Sequence, residues 1–384
     1  MRGMIAPALV HERDLMMVTT DMELALMFAL MEYDKRRHEQ YRKGEYEFFS
    51  KILWPVSLIQ AGPENYIGID RMKFFFDLQF KNTQFLPPDS KILSGLKQQT
   101  DDHQSRLELL SGWVKEIKTS IKKDLIIKGI IGPEILNGLV PIIKLATDKP
   151  ITAVELDPII STDDMIDIAN QYNQALRNIE ETISKWHSLQ RRIEKKIDEW
   201  RTSHSMSQTV NEQEQIDAQF DTLNEKIFEI IWNCRSEIEY LFHWAISGQA
   251  LNLVVPYTEI WIAMYLAAIK LPNNTKKFLL LPPSVLSEEK KSIRKIPVDS
   301  FHSSFYSILK ERVESALETH AAVRNQVEGL CKAQNLFLKE DANKIMTRGI
   351  NRIKEQNLIE NKYIEELQAK WQDISRKFKV ENLS

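Results

Sequence analysis

The side chains best suited to metal or nucleophilic chemistry in this sequence are eight histidines and two cysteines. A zinc site of the usual sequence form places two of its ligands within about four residues of each other, so that one turn presents both. His11, His38, His103, His187, His204, His243, His302 and His320 contain no such pair, and Cys234 and Cys331 are distant from each other and from every histidine. Phosphate chemistry needs glycines that let backbone N–H groups close on an anion. Glycine is scarce, 12 in 384 residues, and neither a Walker-type loop nor G-x-G-x-x-G occurs. The G-x-S-x-G turn of serine hydrolases is missing too. Gly129 and Gly132 flank two isoleucines, which makes an apolar turn rather than an anion-holding loop. The paired carboxylates Glu180-Glu181 and Glu365-Glu366 stand beside basic residues on helical stretches, as solvated faces do. The sequence therefore predicts no catalytic residue, no metal and no cofactor.

Basic residues gather twice. The stretch Lys115 to Lys128 holds five lysines against Glu116 and Asp124. Arg191, Arg192, Lys195 and Lys196 form a second cluster, countered by Glu194 and Asp198. A nucleic-acid-associated protein would contact phosphates through Lys115, Lys118, Lys122, Lys123, Arg191 and Arg192. The interleaved aromatics that stack on bases are missing, and a net charge of −3 supplies no general attraction to a polyanion.

The elements that would carry these residues are mostly helices. Apolar content of 43% and charged content of 27% mark a globular chain, long enough for two or three domains. The clearest pattern is a 3.5-residue apolar repeat. It runs through Tyr172, Ala175, Ile179, Ile183, Trp186, Leu189, Ile193, Ile197 and Trp200. It resumes at Ile216, Phe220, Leu223, Ile227, Ile230, Cys234, Ile238, Leu241 and Trp244. That period specifies a left-handed coiled coil, and an antiparallel hairpin pairs Trp200 with Ile216 and Tyr172 with Trp244. Ser161 before two aspartates suits the start of the first arm, Thr209 with Glu212 forms a capping box for the second, and Gly248 suits its end. Cys234 on this seam reads as a packed thiol.

Two stretches read as sheet. Leu53-Trp54-Pro55 leads into "VSLIQA", a "GPEN" turn, "YIGID" and later Leu86-Pro87-Pro88. Val254-Val255-Pro256 leads into "YTEIWIAMYL" and later Leu281-Pro282-Pro283. These are expected to be two copies of one β unit that pair into a single sheet, because a lone hairpin is marginal in water. Their prolines belong at strand starts or edges, and Asp89-Ser90 and Ser284 are expected to cap helices. Leu251 to Leu271 is long enough to span a bilayer, but it holds Pro256, Glu259 and Lys270 and reads as buried strand. Elsewhere the expected helices are Asp21 to about Gly44 with Asp21 as its cap, Asp101 to Ile127, a short one opening at Pro133, and two stretches after Ser300. In the last of these, Leu367, Trp371, Ile374 and Phe378 form a seam.

The expected fold class is mainly α with a small β part (α+β): an antiparallel coiled-coil hairpin between two β units, followed by long C-terminal helices. The domains are 1–150 with its β unit at about 52–88, 160–247 for the hairpin, 250–286 for the second β unit, and 297–384 for C-terminal helices that could form a second hairpin. The expected function is a non-enzymatic coiled-coil scaffold or protein–protein interaction protein, which binds partners or itself through helices. Nucleic-acid association is the alternative, and a peripheral membrane protein using Leu251 to Leu271 the next, without stable membrane insertion. Two cysteines and no apolar leader at the N-terminus predict a cytoplasmic location.

Overall fold

The computed structural model describes residues 4–62, 64–74, 78–84, 94, 96, 102–117, 121–147, 153–203, 210–251, 255–287, 296–300 and 303–381. The strands are β1 (Met4–Ala6), β2 (Leu9–His11), β3 (Glu45–Gln60), β4 (Asn65–Asp70), β5 (Leu78–Gln84), β6 (Ile121–Ile127), β7 (Val154–Glu155), β8 (Ala245–Ser247), β9 (Tyr257–Lys270), β10 (Lys276–Leu281), β11 (Ser284–Leu286) and β12 (Val298–Ser300). The helices are α1 (Thr20–Arg37), α2 (Glu39–Arg42), α3 (His103–Glu116), α4 (Pro133–Ile143), α5 (Thr162–Ser203), α6 (Val210–Phe242), α7 (Gly248–Leu251), α8 (Ser303–Thr319), α9 (Ala321–Ala333), α10 (Glu340–Glu355) and α11 (Asn361–Glu381). Of the described residues 59% are helix and 22% strand, an α+β class. It divides into two compact units: Met1–Asp77, Lys128–Ala169 and Trp244–Ser384 form the first, and Leu78–Ile127 with Asn170–His243 the second.

The first unit is built on a sheet whose centre is the long antiparallel pair β3–β9, in register from Ile59 opposite Tyr257 to Glu45 opposite Lys270. β4 and β7 flank β3, while β1 and β10 flank β9. The strands read as unbroken apolar runs because both faces are covered. Even positions such as Phe48, Ile52, Trp54, Ile262 and Met264 face a core shared with α4, α8 and α9. Odd ones such as Phe49, Leu53, Ala263 and Tyr265 face a core shared with α1, α10 and α11. In the second core Phe28 of α1 packs edge-on to Trp371 of α11 at 4.9 Å and 5.7 Å from Phe49. A bulge between Tyr46 and Phe48 shifts the alternation, so Tyr46 also faces this side. Within the Leu251 to Leu271 stretch, Leu251 ends the short helix α7 and Tyr257–Lys270 is the largely buried strand β9, and no helix among the described residues is long and apolar enough to cross a membrane.

The two β units do lie side by side, yet their prolines are not equivalent. Pro256 directly precedes β9, as expected, and its carbonyl accepts from Gln60 N–H. Pro55 lies inside a central strand, opposite Trp261. Its carbonyl accepts from Arg71 N–H, so its nitrogen faces the same side, in the gap between β7, which pairs Ile52 and Leu53, and β4, which begins at Val56. No ladder bond needs a donor there, which is why proline is tolerated. In β3–β4 Gln60 lies opposite Tyr66 and in β9–β10 Lys270 lies opposite Lys276, a shift of 210 residues. The prolines Pro55 and Pro256 are 201 apart, so the shared motif does not mark the structural equivalence. Ser284 opens strand β11 and not a helix, its hydroxyl donating to the Pro282 carbonyl. Leu86 to Ser90 fall outside the described residues, as does Thr209.

Local signals fix most helix starts. Ser161 and Asp164 form a reciprocal cap at the start of α5: the Asp164 N–H donates to Ser161 Oγ at 3.1 Å, and the Ser161 hydroxyl donates to Asp164 at 2.7 Å. α4 opens on Pro133, whose missing N–H costs nothing there. Asp21 lies inside the first turn of α1 and not at its N-cap position, which Thr19 holds. Its Oδ1 accepts from the Met22 N–H at 3.0 Å, serving a free first-turn donor as expected, and also from Arg352 Nη1 at 3.0 Å, a partner more than 300 residues away. The helix also ends at Arg37, before the short α2, rather than running to Gly44. Gly248 begins α7 instead of ending α6, because Ala245–Ser247 joins the sheet beside β4.

A half-buried carboxyl in this unit is pushed up toward neutrality. Glu314 of α8 accepts from Leu280 N–H at 2.8 Å. Lys310 lies 3.9 Å away, itself 2.6 Å from Asp34 of α1. Burial outweighs the pull of Lys310 and the Leu280 bond, and Asp34 and Glu318 reinforce it, so the carboxyl is pushed up from 4.5 to about 7. Lys277 is held by Glu318 at 2.8 Å. The folded chain thus binds this proton more tightly than the unfolded one, and stability falls as pH rises from about 4.5 to about 7. Glu314→Gln keeps an acceptor for Leu280 and removes the titration. It is expected to exceed the parent in stability at pH 8 by up to about 3 kcal/mol and to match it at pH 4. Urea unfolding at the two pH values measures the difference.

In the second unit, β5 and β6 form an antiparallel ribbon from Leu78 opposite Ile127 to Gln84 opposite Ile121. The single helix expected over Asp101 to Ile127 is therefore two elements. α3 ends at Glu116, and Ile121–Ile127 is strand, since β-branched residues fit a ladder once β5 supplies a partner. Asp102 caps α3 by accepting from Ser105 N–H at 2.7 Å. α3 packs on α6, where Lys226 Nζ donates to the Val114 carbonyl at 2.8 Å. Trp113 stacks on Trp200 at 6.3 Å, with the Arg106 guanidinium 5.5 Å from the Trp200 ring.

Candidate functional site

The apolar repeat places one side of each long helix inward. On α5, Tyr172, Ala175, Ile179, Trp186, Leu189, Ile193, Ile197 and Trp200 are buried; on α6, Ile216, Leu223, Ile227, Ile230, Cys234 and Leu241 are buried. Ile183, Phe220 and Ile238 are half-buried. Three polar contacts link the helices in antiparallel order. Tyr172 hydroxyl donates to the Leu241 carbonyl at 2.5 Å, Gln190 to Asn224 at 3.5 Å, and Arg201 to Asp217 at 2.6 Å. Trp244 is not part of the helical series: α6 ends at Phe242, and Trp244 precedes β8.

The outer side of α6 is unusual in two respects. Phe228 and Trp232, one helical turn apart, are 62% and 60% exposed. With Gln190, Asn224, Glu225 and Glu229 they line a shallow depression of about 430 Å³. α6 also carries eight carboxylates against Lys226 and Arg235, and two of them, Glu225 and Glu229, line the depression with the two aromatics.

The basic residues do not make one helical stripe. Lys115 lies exposed on α3, and Lys123 lies exposed on strand β6. Lys118 and the side chain of Lys122 are outside the described residues. Arg191 and Arg192 are exposed on α5. The change from helix to strand after Glu116 breaks the spacing on which a continuous phosphate-contacting row depends.

The first unit holds a cavity of about 1120 Å³ between α1, β3, β9 and α10. Lys51 of β3 and Glu23 of α1 are buried side by side, with Nζ 2.6 Å from Oε1. The Tyr265 hydroxyl of β9 donates to the same oxygen at 2.7 Å. Burial first, and then the adjacent Glu23 carboxylate, push the Tyr265 phenol well above its ordinary value, so it remains a donor. Val18, Leu24 and Ile345 supply apolar wall, and Lys344 and Arg348 of α10 line the cavity as well.

No family model, no curated protein and no solved structure matches this chain. Its chemistry is read from its own geometry.

Neither feature emerged from motif spacing, though each left a trace in the sequence. Lys51 interrupts the apolar run "FFSKILW", and Glu23 interrupts "DMELALMF". A lone charge inside such a run must find a partner when buried. Phe228 falls one residue and Trp232 two residues off the 3.5 repeat, positions that a two-stranded seam leaves outside.

Proposed function

We propose that this chain is a non-enzymatic, cytoplasmic protein-interaction scaffold. In this reading α5 and α6 form an antiparallel coiled-coil hairpin, and the outer face of α6 is the docking surface. One observation carries it: Phe228 and Trp232 are exposed to solvent on a helix whose apolar seam is already filled by its own residues. Large exposed aromatics with a polar rim are the side chains that anchor protein interfaces. The carboxylates Glu225 and Glu229 beside them select the partner: an amphipathic helix that carries lysine or arginine around apolar positions.

A photo-crosslinking residue placed at position 232 tests this in the native cell. The cross-linked peptide is expected to come from one protein and to be a basic helical segment. Phe228→Ala with Trp232→Ala should weaken that partner at least ~30-fold, as hot-spot truncations of about 2 kcal/mol or more do. Affinity should also fall with added salt, because the carboxylates contribute. Cross-links scattered over many proteins, or confined to acidic segments, would overturn the reading.

A further inference from the structure

We infer that the cavity between α1, β3, β9 and α10 binds a monoanionic amphiphile, a carboxylate borne on an apolar chain. The argument begins with Lys51. An ammonium group has three N–H donors, and among the described residues Glu23 is the one acceptor in hydrogen-bonding range of its Nζ. Residue Lys51 is only 6% exposed and lines the cavity, with the Tyr265 ring centroid 5.8 Å from its Nζ. Buried donors of this kind are normally satisfied.

The chain itself shows what a lysine does with a second acid. Lys276 holds the carboxylates of Glu47 and Glu328, each at 2.7 Å. Lys51 has the first of such a pair, and the cavity offers room for a second. The charged side chains lining it are Lys51, Lys339, Lys344 and Arg348 against Glu23, Glu340 and Asp341. Lys344, Arg348, Glu340 and Asp341 are exposed at its rim, and the lining as a whole carries one more positive than negative charge. The walls set the rest of the ligand. Val18, Leu24, Leu336, Ala342 and Ile345 are apolar, and the volume of about 1120 Å³ exceeds the usual ligand-pocket range of about 300–1,000 Å³, so the anion must carry a substantial apolar body. The Tyr265 hydroxyl, already donating to Glu23, fixes that carboxylate and leaves Lys51 to the ligand.

Calorimetry with straight-chain carboxylates from octanoate to hexadecanoate, and with the matching alcohols, tests the inference on the full chain. At least one carboxylate is expected to bind one-to-one, and its alcohol about tenfold more weakly or worse, the step that a charge-assisted hydrogen bond contributes. The double variant Lys51→Met with Glu23→Gln should lose the preference for acid over alcohol. Ile345→Trp, which fills the space from a half-buried position, should bind neither while its melting temperature stays at the parent value. The inference fails if no carboxylate binds the parent, if acid and alcohol bind equally, or if Ile345→Trp binds as the parent does.

Discussion

Gly349→Ala is expected to destabilise the first unit by about 3 kcal/mol or more, at the top of the range for overpacked cores. Gly349 lies on α10 where that helix crosses α1. A Cβ built there stands 1.9 Å from the Asp21 carbonyl oxygen, 2.6 Å from its carbon and 3.0 Å from Ala25 Cβ. Two of the three atoms are backbone, so no side chain can swing aside. The helices cannot simply part, either. α1 is buried along most of its length in the core it shares with the sheet, and Arg352 ties α10 to Asp21 and to Thr19 at 3.0 and 3.1 Å. Gly329 is the matched control. It is exposed on α9, and nothing lies within 4 Å of its added Cβ. Gly329→Ala should therefore stabilise by about 0.5–1 kcal/mol through helix propensity alone. Thermal melts of the two variants should move in opposite directions; a Gly349→Ala protein that melts with the parent would show that α1 and α10 do not cross this closely.

Lys51→Met has the second large expected effect. It leaves the Glu23 carboxylate buried with only Tyr265 as a donor. Removing one partner of a buried ion pair typically costs about 3–5 kcal/mol, because the remaining charge is uncompensated. Replacing both partners is a different experiment. Lys51→Met with Glu23→Gln leaves no buried charge, and the glutamine oxygen can still accept from Tyr265. The double variant is expected to recover most of the loss, so the two changes are strongly non-additive. Urea midpoints of the parent, both single variants and the double variant give the coupling directly. A Lys51→Met protein within about 1 kcal/mol of the parent, or a double variant no better than the single, would mean that the pair is solvated and not buried.

Much of the local structure was legible in the sequence because its causes are local. A 3.5-residue repeat identifies the inward side of α5 and α6 from that segment alone. The reciprocal cap at Ser161 needs only Asp164, three residues on. The "GPEN" stretch falls where β3 has ended at Gln60 and β4 begins at Asn65, and the α+β class follows from the same signals.

What only the tertiary structure decided are the features whose causes lie far along the chain. Ile121–Ile127 shows helical spacing, yet β5 makes it a strand. Pro55 is tolerated mid-sheet because β7 and β4 leave a gap at that residue. Asp21 serves the Met22 N–H, as its position in α1 suggests, but its second partner Arg352 comes from the far end of the chain, and Lys51, Glu23 and Tyr265 meet although up to 242 positions separate them. Periodicity records which side of an element is apolar; it carries no information about which distant side chain will cover that side, and partner choice depends on a sheet that exists only when β3 and β9 have paired.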